Sequence, residues 1–245
     1  IRYVHGAVDV EELTDILEKL FYFLRERTHR KVAEEEGKRI ARSLYVEKVR
    51  ARMEELKKTE AYADFDHMIR MGTKYKGIDE VVEKYEALYD RFEKASKANG
   101  GRDYTSLAVG HGDLCFSNIL YNHEADVLKL IDPKGATNEE ELYTDPYYDL
   151  AKLSHSICGC YDFFNSGLYE ITVMQDLSWK LTVDVDAGPF VAVFRRYLEK
   201  NGIDYRLVRL YEAGLFLSML PYHMDQPGKV FGFLLNAIGI LDEVE

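Results

Sequence analysis

The sequence predicts a mainly helical α+β fold with a small β-hairpin element, and three observations predict it. Apolar residues recur at helical spacing through most of the chain. The period changes once, near residue 105, where short apolar runs alternate with polar turns. Gly and Pro punctuate the segments rather than interrupt them. Over 245 residues, 47% are hydrophobic and 31% charged, which excludes wholesale disorder. A chain of this length buries roughly 70–75% of its unfolded surface and needs neither disulfide nor metal to hold a core.

The elements follow in order. Asp9 to about Thr28 is helical, with Leu13, Ile16, Leu17, Leu20, Phe21 and Leu24 forming one apolar stripe and Asp9 as its N-cap. A charge-rich helical region runs from Lys31 to Lys58, and another from Asp79 to Lys97, stopped by Asn99-Gly100-Gly101. Leu107-Ala108-Val109 leads into His111-Gly112-Asp113. Ile119-Leu120-Tyr121 and Val127–Ile131 read as two strands joined by a turn at Asn122–Asp126. Asp149 to Phe164 is helical. Tyr169–Met174 and Trp179–Asp184 suit a second hairpin, and Ala187–Lys200, Tyr205–Leu220 and Lys229–Leu241 read as helices.

Composition excludes several function classes. With 32 basic against 43 acidic residues the net charge is −11, which disfavours a nucleic-acid binder. No apolar stretch is long enough to span a membrane. Three cysteines, Cys115, Cys158 and Cys160, cannot all pair, and no signal peptide precedes them, so a reducing, cytoplasmic setting is expected. Cys158-Gly-Cys160 lacks the spacing of a zinc or redox motif, and the three thiols are expected to be ordinary packed ones.

The chemistry lies in residues 105–135. Phosphoryl transfer needs a carboxylate beside the attacking hydroxyl and oxygen ligands that hold Mg²⁺ on the nucleotide phosphates. A kinase catalytic loop supplies them as an Asp, four residues, an Asn, and a further Asp after the next hairpin. Asp113, Asn118 and Asp132 have that spacing. His111 alone could be a metal ligand, but it has no partners at ligand spacing.

The strings HGDLCFSNILY and LKLIDPKG resemble the aminoglycoside phosphotransferase/choline kinase family, which has the protein-kinase fold. They are closest to the phosphotransferase-like enzymes of bacterial capsular and surface polysaccharide biosynthesis. The likeness extends through Tyr147–Ser156 and weakly to Pro221–Asp225, and covers most of 105–245. Lys134 stands where that branch has Arg. The resemblance implies Asp113 as base or hydroxyl-orienting group, Asn118 and Asp132 as Mg²⁺ ligands, and ATP with Mg²⁺ as cofactors. It implies His111 as a structural loop residue. Asp149 is either a buttress of the catalytic loop or a plain helix N-cap. His155 and His223 read as packed or surface histidines, and His223 and Asp225 are also candidates for the acceptor pocket, expected between the catalytic loop and the C-terminal helices.

By the same likeness, residues 1–8 are a hinge-like segment that would receive the adenine, and 9–245 a kinase-like C-terminal lobe. No Gly-rich loop followed by a strand Lys occurs before residue 105, so the N-terminal β lobe is absent from the sequence. The chain, beginning at Ile1, is expected to belong to a longer protein, with apolar surface exposed near residues 1–8 and weak ATP turnover alone. Two functions remain open: a small-molecule kinase, whose partners are a nucleotide and an alcohol substrate, and a non-catalytic kinase-like binding module among other domains of a longer chain. Neither the acceptor nor the choice of ATP over GTP can be read from the sequence.

Overall fold

A computed structural model describes residues 2–98 and 102–245, so the helix stop expected at Asn99–Gly101 lies outside the described residues. In chain order, α1 (Val10–Glu26) leads to the short strand β1 (His29–Lys31) and α2 (Glu34–Arg42). A π-helical turn (Ser43–Glu47) joins this to α3 (Lys48–Leu56), α4 (Tyr62–Gly72) and α5 (Ile78–Ala98). Then come β2 (Ser106–Val109), a 3-10 turn (Phe116–Asn118), the hairpin strands β3 (Ile119–Asn122) and β4 (Val127–Leu130), α6 (Glu139–Leu142) and β5 (Tyr143–Thr144). α7 (Tyr147–Ile157), α8 (Tyr161–Asn165), β6 (Tyr169–Val173) and β7 (Trp179–Val183) follow. The chain ends with α9 (Gly188–Lys200), α10 (Tyr205–Met219), a 3-10 turn (Leu220–His223) and α11 (Pro227–Val244). The fold is mainly helical with small antiparallel sheets, an α+β class.

The chain divides into two compact units. The first comprises Ile1–Ala41, Asp103–Asp162 and Val185–Val208. Its α1 begins at Asp9, whose carboxylate accepts the Glu12 N–H at 2.8 Å. The predicted stripe of α1 is buried whole and packs on α9. Leu17, Leu20, Leu114, Leu153, Ile157 and Phe194 lie at the centre of this core. An antiparallel sheet of order β1-β2-β5 pairs Arg30 with Leu107 and Ala108 with Thr144. In the β3–β4 hairpin, with Ile119 opposite Leu130, the inner residues Ile119, Tyr121, Leu128 and Leu130 pack on the core. Strand alternation turns Leu120 and Lys129 outward.

The second unit comprises Arg42–Arg102, Phe163–Asp184 and Arg209–Glu245. Tyr45 stacks on Tyr211 with ring centres 3.8 Å apart. Trp179, on the β6–β7 hairpin, donates its indole N–H to Met68 O at 2.8 Å and meets Phe231 edge-on. Among the described residues, no helix is long and apolar enough to cross a membrane.

Three local expectations are corrected. The helix drawn from Lys31 starts at Glu34, because Thr28–Val32 is drawn into the sheet: Thr28 O accepts from Val109 N, and Val32 N donates to Thr105 O, both at 2.9 Å. α4 was not anticipated, since only Phe65 and Ile69 mark its buried side. The helix expected from Asp149 to Phe164 breaks at Cys158–Cys160, where Cys160 takes a positive φ of 54°. Long-range pairing and a single left-handed residue leave little trace in local periodicity.

Gly37 shows how closely the first unit packs. A Cβ there would stand 1.8 Å from the carbonyl oxygen of Tyr104. Alanine would gain about 1 kcal/mol of helix propensity, but overpacking against a backbone atom that cannot rotate away costs about 1–3 kcal/mol. Gly37→Ala is therefore expected to lower the melting temperature. An unchanged or raised Tm in thermal unfolding would contradict the close approach.

Candidate active site

The loop between β2 and β3 is fixed from beneath by one carboxylate. Asp149, in the first turn of α7, is fully buried. Its Oδ2 accepts the His111 N–H at 3.0 Å and its Oδ1 the Gly112 N–H at 2.9 Å. Oδ2 also receives Arg27 Nη1 at 2.6 Å, and Arg27 Nη2 donates to Pro146 O at 2.9 Å. The ion pair is closed to solvent, with side-chain exposures of 4% and 0%. Asp149 is not the N-cap of its helix: Asp145 takes that kind of role, accepting the Tyr147 N–H at 2.9 Å.

Gly112 is glycine for two reasons. Its φ is +79°, and an added Cβ would meet the Lys134 Cβ at 2.7 Å. His111 joins the loop to the end of the hairpin. Its Nδ1 lies 3.3 Å from the Asp113 N–H, which can only donate, so the ring proton sits on Nε2 and is given to Ile131 O at 3.0 Å. Lys134 N donates to His111 O at 2.9 Å. His111 is thus a strut between the segments carrying Asp113 and Asp132.

Asp113 is 42% exposed at the side chain and held by two donors. Lys152 Nζ, from α7, lies 2.9 Å from its Oδ1, and Asn118 Nδ2 lies 3.1 Å from its Oδ2. The same Asn118 nitrogen donates to Asp113 O at 2.9 Å. That leaves the Asn118 Oδ1 with no hydrogen bond among the described residues. Asn118 O accepts from Ile131 N at 3.0 Å, so the backbones of Asn118 and Ile131 pair and Asp132 follows at once. Asp132 is exposed, takes a φ of +55°, and makes no hydrogen bond among the described residues. Asp113, Asn118 and Asp132 are therefore gathered by one loop and the open end of one hairpin. Leu120 of β3 and Ile131, just after β4, are exposed by 50% and 40%.

Among the described residues, no three His, Cys, Asp or Glu side chains cluster as a metal site. Asn118 Oδ1 and the Asp132 carboxylate are hard oxygen donors that make no hydrogen bond among the described residues. They suit a cation such as Mg²⁺, which takes one or two protein ligands and completes its shell with water and phosphate.

A cavity of about 300 Å³ lies beside this loop, lined by Arg2, Tyr3, Val4 and Val8, by Glu12, Leu13 and Ile16 of α1, and by Phe116–Tyr121 except Asn118. Asp162 also lines it, and burial raises the pKa of its carboxyl against a Ser156 hydrogen bond that lowers it. Residues 2–7, the segment read as hinge-like, form a turn. They turn back, with Gly6 N donating to Tyr3 O and Ala7 N to Arg2 O, which uses two of the carbonyls. Tyr3 is buried, edge-on to Phe116 and Phe190. Val4 and Val8 are half-buried and Val10, just after this segment, is exposed, as are Leu120 and Ile131 of the hairpin end.

Other candidates fall outside the loop. His223 and Asp225 belong to the second unit. His223 meets Phe233 edge-on at 5.4 Å, and burial, helped by Lys229, lowers its pKa. Asp225 is exposed and accepts from Gln226 Nε2 at 3.3 Å. His155 is fully buried and stacks on Tyr161. Burial pushes the Cys115 thiol up, which makes it a packing thiol rather than a nucleophile. Arg27, Lys152 and Asp162 were not singled out from the sequence. The i, i+3 spacing of Asp149 and Lys152 on one helix was the available signal for Lys152. Comparison of the chain with protein-family models, curated proteins and solved structures finds no match.

Removing one partner of a buried ion pair strands the other charge and costs about 3–5 kcal/mol. Arg27→Met is expected to lose stability on that scale in urea unfolding, and to loosen the 110–113 loop. A loss below about 1 kcal/mol, the range of an exposed pair, would show that Arg27 and Asp149 are not a buried pair in solution.

Proposed function

We propose that this chain carries the protein-kinase-like catalytic lobe of an ATP-dependent phosphotransferase. Its acceptor is a hydroxyl on a small molecule such as a sugar, an amino alcohol or a polysaccharide precursor. One observation carries the reading. An accessible carboxylate, Asp113, is held at both oxygens beside two uncommitted oxygen ligands, Asn118 Oδ1 and Asp132. The sequence resemblance to the aminoglycoside phosphotransferase/choline kinase family supplies the reaction class.

Asp113 would accept a hydrogen bond from the incoming hydroxyl and take its proton as the hydroxyl oxygen bonds to the γ-phosphorus and ADP leaves. Its two donors restrict rotation of the carboxylate, so the hydroxyl meets a fixed acceptor rather than a swinging one. Asn118 and Asp132 would hold Mg²⁺, which when bound neutralises charge on the phosphates. Asp132 keeps a left-handed backbone, which Asp tolerates better than most residues. His111 and Asp149 take no part in bonds to substrate; they hold the loop and the hairpin end in one relation. The cavity beside Phe116–Tyr121, with its apolar walls and the Asp162 carboxyl, is the site we assign to the nucleotide's base.

The test uses the full-length protein with γ-¹⁸O-labelled ATP, Mg²⁺ and a panel of sugars and amino alcohols, read by mass spectrometry. A labelled phosphate ester supports the reading; labelled inorganic phosphate alone, or no product, contradicts it. Asp113→Asn is expected to lower turnover by about 10²–10⁴ while leaving the affinity for Mg-ATP nearly unchanged. Near-normal turnover in that variant would remove Asp113 from the chemistry.

A further inference from the structure

We propose that Lys152 is the positioning residue of this centre: through its ion pair with Asp113 it sets the carboxylate that receives the acceptor hydroxyl. The inference rests on the phosphotransferase reading above. Lys152 Nζ lies 2.9 Å from Asp113 Oδ1, with side-chain exposures of 13% for the lysine and 42% for the aspartate. Among the described residues, Asp113 is the only carboxylate within ion-pair distance of it.

The asymmetry of exposure is informative. Asp113 reaches water and could stay ionised without a partner. Lys152 could not be buried so deeply without one, because an isolated buried ammonium is costly. A methionine would fill the same space with no such cost, and replacing buried charge by apolar groups is often neutral or stabilising. Stability alone therefore does not call for the lysine, and its use is sought in the site.

Two further observations agree. The residues between Asp113 and Asn118 are Leu114, Cys115, Phe116 and Ser117, none of them a cation, so the loop brings no positive charge of its own to the carboxylate. Lys152 also lies one helical turn after Asp149 on α7. One rigid helix thus grips the loop's amides through Asp149 and its carboxylate through Lys152. Burial is the largest influence on the Lys152 ammonium and lowers its pKa, but Tyr148, Asp113 and Cys115 together outweigh it and leave the pKa raised. The charge is present when the site works.

The experiment is a kinetic cycle on the full-length protein with Mg-ATP and the alcohol found to accept phosphate. Lys152→Met is expected to lower kcat by roughly 10–100-fold, the effect of a misplaced reacting group. KM for Mg-ATP should change by less than about 3-fold, as for an interaction made in the transition state, and Tm should be unchanged or higher. Lys152→Arg should recover part of kcat. In an Asp113→Asn background, Lys152→Met should have little further effect, since it acts through the group already removed. Normal kcat in Lys152→Met beside an inactive Asp113→Asn would overturn the role of Lys152 alone. So would a double variant slowed by the product of the two single effects. A wild-type protein that forms no phosphate ester would overturn the phosphotransferase reading and this inference with it.

Discussion

The carboxylate of Asp149 is the fixed point of the candidate site. It is closed to solvent and satisfied by Arg27 and by two consecutive loop amides, those of His111 and Gly112. Buried charge on this scale is tolerated only when every oxygen has donors, and here each oxygen does. The two amides fix the backbone just before Asp113. Gly112 can follow because it reaches a positive φ and leaves room for Lys134. His111 then ties the same backbone to Ile131, and so to the position of Asp132.

The accessible polar groups of the loop are thereby separated from the buried supporting ones. Asp149, Arg27 and His111 are buried or nearly so and spend their hydrogen-bonding capacity on the protein. Asp113 and Asp132 are solvent-accessible, and Asn118 keeps its Oδ1 uncommitted among the described residues. Such a division is what a pre-organised polar site requires: rigid groups that do not face the reaction, and reacting groups that cannot wander.

Much of this was legible in the sequence, for identifiable reasons. The stripe from Leu13 to Leu24 and the cap at Asp9 are local signals and reappear as α1. The β3–β4 hairpin follows from two alternating runs around a turn. The contact of Asp113 with Asn118 follows from their spacing in one loop, and the backbone pairing of Asn118 with Ile131 sets Asp132 at the hairpin's end. What was not legible depends on partners distant in sequence. Arg27 meets Asp149 across 122 positions, and β1 exists only because residues 105–109 lie beside it. The turn at residues 2–7 forms because Arg2 and Tyr3 accept from the Ala7 and Gly6 amides, and Tyr3 is drawn into an aromatic cluster. No periodicity announces either event.

The central claim is that Asn118 and Asp132 share a divalent cation with a nucleotide beside Asp113. Paramagnetic relaxation in the full-length protein tests it directly, with Mn²⁺ and a non-hydrolysable ATP analogue standing in for Mg²⁺-ATP. The account predicts selective broadening of the Asn118 side-chain amide and the Asp132 and Asp113 backbone amides, appearing only when metal and nucleotide are both present. Broadening centred elsewhere, or none at saturating nucleotide, would contradict it.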